Sequence, residues 1–236
     1  MLNSPWLALL VTLVAAITWL AFCAWVSKNQ YVSSKLSRKL VHIGTGPIFV
    51  LCWLLFPDLP ISRYLAALLP LPITIQYLLV GLGVIDREAD VNALSRSGDR
   101  RELLKGPFYY GIVFILITLL VWKDHPAGVT ALMVLCGGDG LADPIGNLVK
   151  SKPLFWSPRK TWAGSLGMLL GGLVFSASVL AVYIGAGVFA GPLTAYLPGL
   201  VLVSLGATLV ESLPISGLDN LTVPAAALLL GFALLG

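Results

Sequence analysis

Runs of about twenty apolar residues recur along this chain, and that recurrence restricts its fold more than any other feature. Crossing the hydrocarbon core of a bilayer takes about 20 such residues in helical form. Apolar runs lie at 5–26, 43–57, 62–84, 108–122, 127–142, 164–185, 195–211 and 221–236. In lipid every backbone N–H and C=O needs an internal partner, which leaves helices and closed barrels as the spanning structures. Barrel strands alternate apolar and polar residues, and these blocks do not. The expected fold class is therefore all-α: a polytopic integral membrane protein with about eight transmembrane helices (seven to nine). With 58% hydrophobic and 11% charged residues among 236, and a mean hydropathy of +0.92, nothing remains for a soluble domain, and residues 1–236 read as one domain. Pro70 and Pro72 fall inside the third run, where their missing N–H groups should kink or locally unwind it.

The formal net charge of +4 and pI near 9.0 do not indicate nucleic acid, because the basic residues sit in short loops beside the spans. That placement is a signature of membrane orientation. The first loop holds Lys28, Lys35, Arg38 and Lys39, the second only Arg63, and the third Arg87, Arg96, Arg100, Arg101 and Lys105. The fourth has Lys123 alone, the fifth Lys150, Lys152, Arg159 and Lys160, and the last two have none. The alternation assigns loops one, three and five to the cytoplasmic side. By parity the seventh loop joins them, and both termini lie on the opposite face. Cys23, Cys52 and Cys136 sit in or beside apolar runs without a C-x-x-C, so they read as small hydrophobes rather than a zinc site or disulfide framework. The first run lacks a basic leader and a small-residue cleavage site, and it is not an Arg/Ser-rich transit peptide, so it reads as a retained span. The expectation is a multi-pass protein of a bacterial or cyanobacterial membrane; a trimmed plastid membrane protein has the same composition.

The polar groups that chemistry needs fall in five places. CGGDGLADPIG at 136–146 puts Asp139 and Asp143 four apart, on one face of a helix, at the end of an apolar run. A carboxylate near the hydrocarbon core costs roughly 3 kcal/mol on insertion scales. A bound Mg²⁺, which takes one or two carboxylates together with substrate phosphates and water, would offset that cost. The alternative is a pair of solvated loop carboxylates, with the glycines there for a tight turn. In SPRKTWAGS at 157–165, Arg159 and Lys160 precede a glycine-opened span, where helix-start N–H groups can join them in holding phosphate. The same residues also suit an interfacial anchor with Trp162 at headgroup level. Arg38, Lys39 and His42 gather at the entry of the second span, where a neutral His42 either orients a carboxylate or phosphate or is simply a hydrogen-bonded structural residue. The loop 91–107 looks like a short surface helix and turns. Glu211 closes one span while Asp219 and Asn220 open the next, Asn220 also suiting an N-cap. Neither a Walker A loop nor a strand-borne G-x-G-x-x-G occurs, which excludes a soluble-type nucleotide fold.

Taken in order, RKLVHI (38–43), SRSGDRRELLKGP (95–107), CGGDGLADPIG (136–146), RKTWAGS (159–165) and ESLP with LDNLTVP (211–224) resemble the phytol/dolichol kinase family of CTP-dependent polyprenol kinases, most closely its phytol kinase branch. The likeness runs over residues 37 to 224. It implies transfer of the CTP γ-phosphate to phytol or a related isoprenoid alcohol, giving phytyl phosphate for tocopherol and other prenyl-lipid synthesis. It further implies Mg²⁺ at Asp139 and Asp143, and CTP phosphates at Lys160, Arg159, Lys39 and Arg38 with His42 alongside. Glu211 would bind metal or accept the hydroxyl proton, and Asp219 and Asn220 would be supporting polar contacts. Where basic residues commonly follow the glycine equivalent to Gly146, this chain has Asn147-Leu148, with Lys150 and Lys152 further on. CTP, the alcohol and the bilayer are thus the expected partners. A membrane cytidylyltransferase acting on a lipid phosphate and a small-solute transporter are the alternatives. A transporter would spread polar residues toward both faces, whereas here they bunch on one.

Overall fold

The computed structural model describes residues 1–32, 34–95, 97–215 and 217–236, with side chains throughout except at 34, 35, 38, 92 and 93. The chain is an all-α membrane protein. The first helix, α1 (Pro5–Lys28), starts on a Ser4 cap whose Oγ accepts from Leu7 N, with proline in the first turn. It is apolar on every side and exposes Trp6, Leu10, Val14, Ile17 and Phe22, as an outer lipid-facing helix does. Helix α2 (Ser34–Cys52) runs on through a 3₁₀ turn to Leu55. The third span is broken where the prolines predict: α3 (Pro60–Ala67) ends, and α4 (Pro70–Leu82) restarts with proline in its first turn. The loop that follows forms the short surface helix α5 (Glu88–Leu94) and a 3₁₀ turn at Arg100–Leu104, leading into α6 (Gly106–Leu120).

The next span departs from its expected form. The sequence places its end at residue 142 and leaves open whether the glycines make a turn or the helix runs on through Asp139 and Asp143. In the structure α7 (Pro126–Met133) passes through a widened π-helical turn at Val134–Asp139 and continues as α8 (Gly140–Leu148). Gly137, Gly138 and Gly140 all keep negative φ, so the glycines serve close approach and not a turn. A Cβ on Gly137 would strike the Phe175 ring, and one on Gly138 would lie 2.9 Å from the Met168 carbonyl oxygen. Both neighbours belong to α9 (Trp162–Gly185). This continuous segment is the centre of the molecule. Every residue of α7 is buried, and α2, α6, α9, α10 (Leu193–Ser212) and α11 (Asp219–Leu234) pack around it. Tyr183 on α9 donates 2.6 Å across to the Val50 carbonyl, and Trp53 packs on Trp122 at 4.8 Å.

Five of these segments are long and apolar enough to cross a membrane: Pro5–Lys28, Pro60–Leu82, Arg100–Leu120, Trp162–Gly185 and Leu193–Ser212. Lys39–Leu55 and Asp219–Leu234 are shorter apolar helices. With the interrupted α7–α8 segment, the described residues make eight helical passes in the expected order. A further unexpected element is a hairpin in loop five. Strands β1 (Pro153–Leu154) and β2 (Ser157–Thr161) pair antiparallel around the two-residue turn Phe155–Trp156. Thr161 then caps α9, its Oγ1 accepting from Gly164 N at 3.1 Å.

The loops sort by parity. Lys105 of loop three lies near Gly217 of loop seven, and Lys160 of loop five near Asp219. At the other end, loop two meets loop four through Arg63–Asp124 and Lys123–Asp58, both at 2.6 Å. Residues 186–188 of loop six line the same recess.

Candidate active site

At the odd-loop end, α2 and the α7–α8 segment bring together the first half of a polar cluster. Lys39 and His42 are three apart on α2 and share a face. Lys39 Nζ donates to the Asp139 carbonyl oxygen at 3.4 Å and lies 3.7 Å from Asp143 Oδ2. His42 Nε2 lies 3.5 Å from Asp139 Oδ2 and 3.3 Å from the Leu135 carbonyl oxygen. Both neighbours are acceptors, so the geometry assigns the proton to Nε2. The π turn thus does two jobs: it turns the Leu135 carbonyl to His42 and carries Asp139 at its end. Pro144, lacking N–H, leaves the Gly140 carbonyl without its helical donor one turn further on.

The second half comes from the hairpin and the last two helices. Lys160 on β2 lies 2.7 Å from Glu211 Oε1 and 3.7 Å from Asp219 Oδ1, and it also donates to the Glu211 carbonyl oxygen. Glu211 ends α10 with its side chain only 10% exposed. Trp156 Nε1, at the hairpin turn, donates to the Ser212 carbonyl oxygen at 3.1 Å and so fixes the strand that carries Lys160. Asn220 is not an N-cap. Its Nδ2 donates 2.8 Å to the Gly106 carbonyl oxygen and ties the start of α11 to the start of α6.

The two halves share one end of the bundle, because α10, which carries Glu211 in its last turn, packs against the π turn that ends at Asp139. Four carboxylates (Asp139, Asp143, Glu211, Asp219) therefore gather with two ammonium groups (Lys39, Lys160), an acid-rich site that favours a cation. Among the described residues no three His, Cys, Asp or Glu side chains stand close enough to cage a metal. The donor set suits an ion that draws most of its ligands from phosphate and water, as Mg²⁺ does.

Arg159 is exposed beside Lys160 and outside this cluster among the described residues. The Arg38 side chain lies outside the described residues. His125, the other histidine, sits at the opposite end as the cap of α7. Its Nδ1 accepts from Ala127 N, and burial lowers its pKa.

No family model matches the chain, and no solved structure does. It is 39% identical to a probable chloroplastic phytol kinase of Triticum aestivum, over 97% of this chain and 76% of the relative. It is 36% identical to phytol kinase 1 of Arabidopsis thaliana, over 89% and 70%. It is also 38% identical to the farnesol kinase of Arabidopsis thaliana, over 95% and 73%. The chain belongs to the phytol kinase family. These relatives are named chloroplastic, and the expectation of a bacterial or cyanobacterial membrane finds no support in them.

For this member of the phytol kinase family, sequence reasoning overlooked the packing around the acids. Tyr110 on α6 packs its ring at a tilt against that of His42, centroids 4.5 Å apart, and its hydroxyl donates to the His42 carbonyl oxygen at 3.2 Å. Tyr110 therefore sets the ring's position from behind. The available signal was a hydroxyl-bearing aromatic just inside a span. Trp156 carried no such signal, because its partner Ser212 is 56 residues away.

Proposed function

We propose that the protein is an integral-membrane prenyl alcohol kinase that transfers the γ-phosphoryl group of CTP to phytol or a closely related isoprenoid alcohol. The product, phytyl phosphate, would feed tocopherol and other prenyl-lipid synthesis. The observation that carries this reading is the meeting of Asp139, Asp143, Lys39 and His42 with Lys160, Glu211 and Asp219 at one end of the bundle. The relatives supply the substrate class, being named as phytol and farnesol kinases.

Phosphoryl transfer passes through a loose transition state, so the protein's task is to position the reactants and to stabilise charge on the phosphate oxygens. Asp139 and Asp143 would hold Mg²⁺, which when bound neutralises charge on the nucleotide's phosphates. His42, donating from Nε2, holds the Asp139 carboxylate in position. Lys39 and Lys160 are the cations nearest the acids and would bind phosphate, each exchanging a carboxylate contact for a phosphate oxygen. Arg159, exposed beside Lys160, would add charge at the rim, and Arg38 is proposed as a further phosphate contact. Glu211, relieved of Lys160 in that exchange, would accept the alcohol's proton, and Asp219 and Asn220 would keep the end of the site in shape. The alcohol enters from lipid, its hydroxyl rising to the acids while CTP arrives from the aqueous side.

The test is to incubate membranes containing the protein with γ-labelled CTP, Mg²⁺ and a panel of phytol, farnesol and geranylgeraniol. A labelled lipid with release of CDP is expected, lost on chelation and restored by added Mg²⁺. Release of pyrophosphate would identify cytidylyl transfer instead, and solute uptake without nucleotide turnover a transporter; either overturns the proposal.

A further inference from the structure

We infer that the groove between α1 and α4 seats the isoprenoid tail of the alcohol, an assignment that rests on the kinase reading above. The groove follows from the proline break. Helix α1 packs along α2 and against α3, whereas α4 packs chiefly on α6 and on the 3₁₀ turn at Arg100–Leu104. A cleft of about 450 Å³ opens there. Leu9 and Leu13, one helical turn apart, form one wall, and Leu69, Pro72 and Ile73 form the other. Leu13 and Ile73 are each 41% exposed, so the cleft opens sideways to lipid, the phase from which a long apolar alcohol comes.

The cleft has one polar end. Both α1 and α4 run toward the odd-loop face, so Gln76 marks the end of the cleft on the side of the acids, and Leu9, Leu68 and Leu69 mark the other end. Gln76 Nε2 donates to Asp90 Oδ2 at 2.5 Å, joining the cleft to surface helix α5. Tyr77, the next residue, lies within electrostatic reach of both Asp90 and Tyr110. The Tyr110 ring packs at a tilt on His42, which faces Asp139. The hydrogen bond from Gln76 to Asp90 therefore sets the polar end of the cleft toward the odd-loop face, the face on which the acids lie. From Leu69 to Gln76 is seven residues, about 10 Å of helix. That length accommodates part of an extended prenyl chain and leaves the rest in the bilayer. A molecule with one polar end and a long apolar body fits this shape.

A farnesol analogue carrying a diazirine at the tail end tests the assignment in intact membranes. Photolabel is expected on peptides of α1 and α4, displaced by phytol but not by the straight-chain stearyl alcohol. Label on other helices overturns the inference, as does equal displacement by stearyl alcohol, which would mark a general lipid crevice. A second test fills the far end. Leu69→Trp and Leu9→Trp should each lower the ratio of kcat/KM for phytol to that for geraniol by on the order of tenfold, and an unchanged ratio in both counts against the groove. The outcomes also separate this inference from the kinase reading. Wild-type protein that phosphorylates alcohols but is labelled elsewhere sinks only the groove. Groove labelling without any phosphorylation leaves the tail site and sinks the kinase.

Discussion

Asp139 meets two neighbours on α2 at once: its carboxylate faces His42 and its carbonyl accepts from Lys39. Asp139→Asn keeps the side chain's size and removes only its charge, so the fold should survive while metal binding does not. Alcohol phosphorylation should fall by on the order of 10² or more, with thermal stability in detergent little changed; full activity would remove Asp139 from the metal site. Lys160 presents a different case, because it is the cation paired at 2.7 Å with the buried Glu211 carboxylate. Lys160→Met should abolish activity and also destabilise the protein by about 1–3 kcal/mol, since buried Glu211 loses its counterion. Adding Glu211→Gln to Lys160→Met should recover much of the melting temperature and none of the phosphorylation. Recovery of activity in the double variant would exclude both residues from the chemistry.

At the scale of elements, the contact that shapes the site is α9 against the π turn and α8. Gly164, Gly167 and Gly171 line one face of α9, the small-residue pattern that lets membrane helices approach closely. A Cβ at Gly164 would lie 3.1 Å from the Ala142 carbonyl oxygen, and one at Gly167 would lie 3.2 Å from that of Leu141. A Cβ at Gly171 would collide with the Gly137 carbonyl itself. Backbone cannot swing aside as a flexible side chain can. Gly171→Val should therefore displace the turn that carries Asp139, lowering both melting temperature and activity, by about 1–3 kcal/mol in stability. Gly185→Ala, on the same helix with open space around it, should change neither for the worse. If the two variants behave alike, close packing of α9 is not what holds the acidic turn.

Over the whole molecule the two ends differ in how their charges are used. The cluster at the odd-loop end sets four carboxylates, Asp139, Asp143, Glu211 and Asp219, against Lys39 and Lys160. The even-loop end cancels its charges: loops two and four each contribute one acid and one base to the pairs Arg63–Asp124 and Lys123–Asp58. Lys123 is almost fully buried and also donates 3.1 Å to the Phe56 carbonyl oxygen. This end reads as a fastening between α3 and the α6–α7 connection. Lys123→Met should lower stability by about 1–3 kcal/mol, by leaving that carbonyl and Asp58 unpaired, while KM for the alcohol stays at its wild-type value. A raised KM with unchanged melting temperature would show that the even-loop end takes part in binding.

Hydropathy and proline are local signals, so the eight passes, their order, the break before Pro70 and the gathering of acids and bases in alternate loops were all legible along the chain. The same holds for Asp139 and Asp143 sharing a face, since that depends only on helical period. The fate of the CGGD turn was not legible. Glycines permit either a turn or a tight helix contact, and the choice fell to α9, whose glycines accept the π-helical backbone. Nor could the chain show that Lys160 meets Glu211 while adjacent Arg159 stays exposed, because the hairpin that separates them is held by Trp156 on Ser212. Which charge meets which is a matter of packing between segments 50 or 100 residues apart, and no periodicity within one segment encodes it.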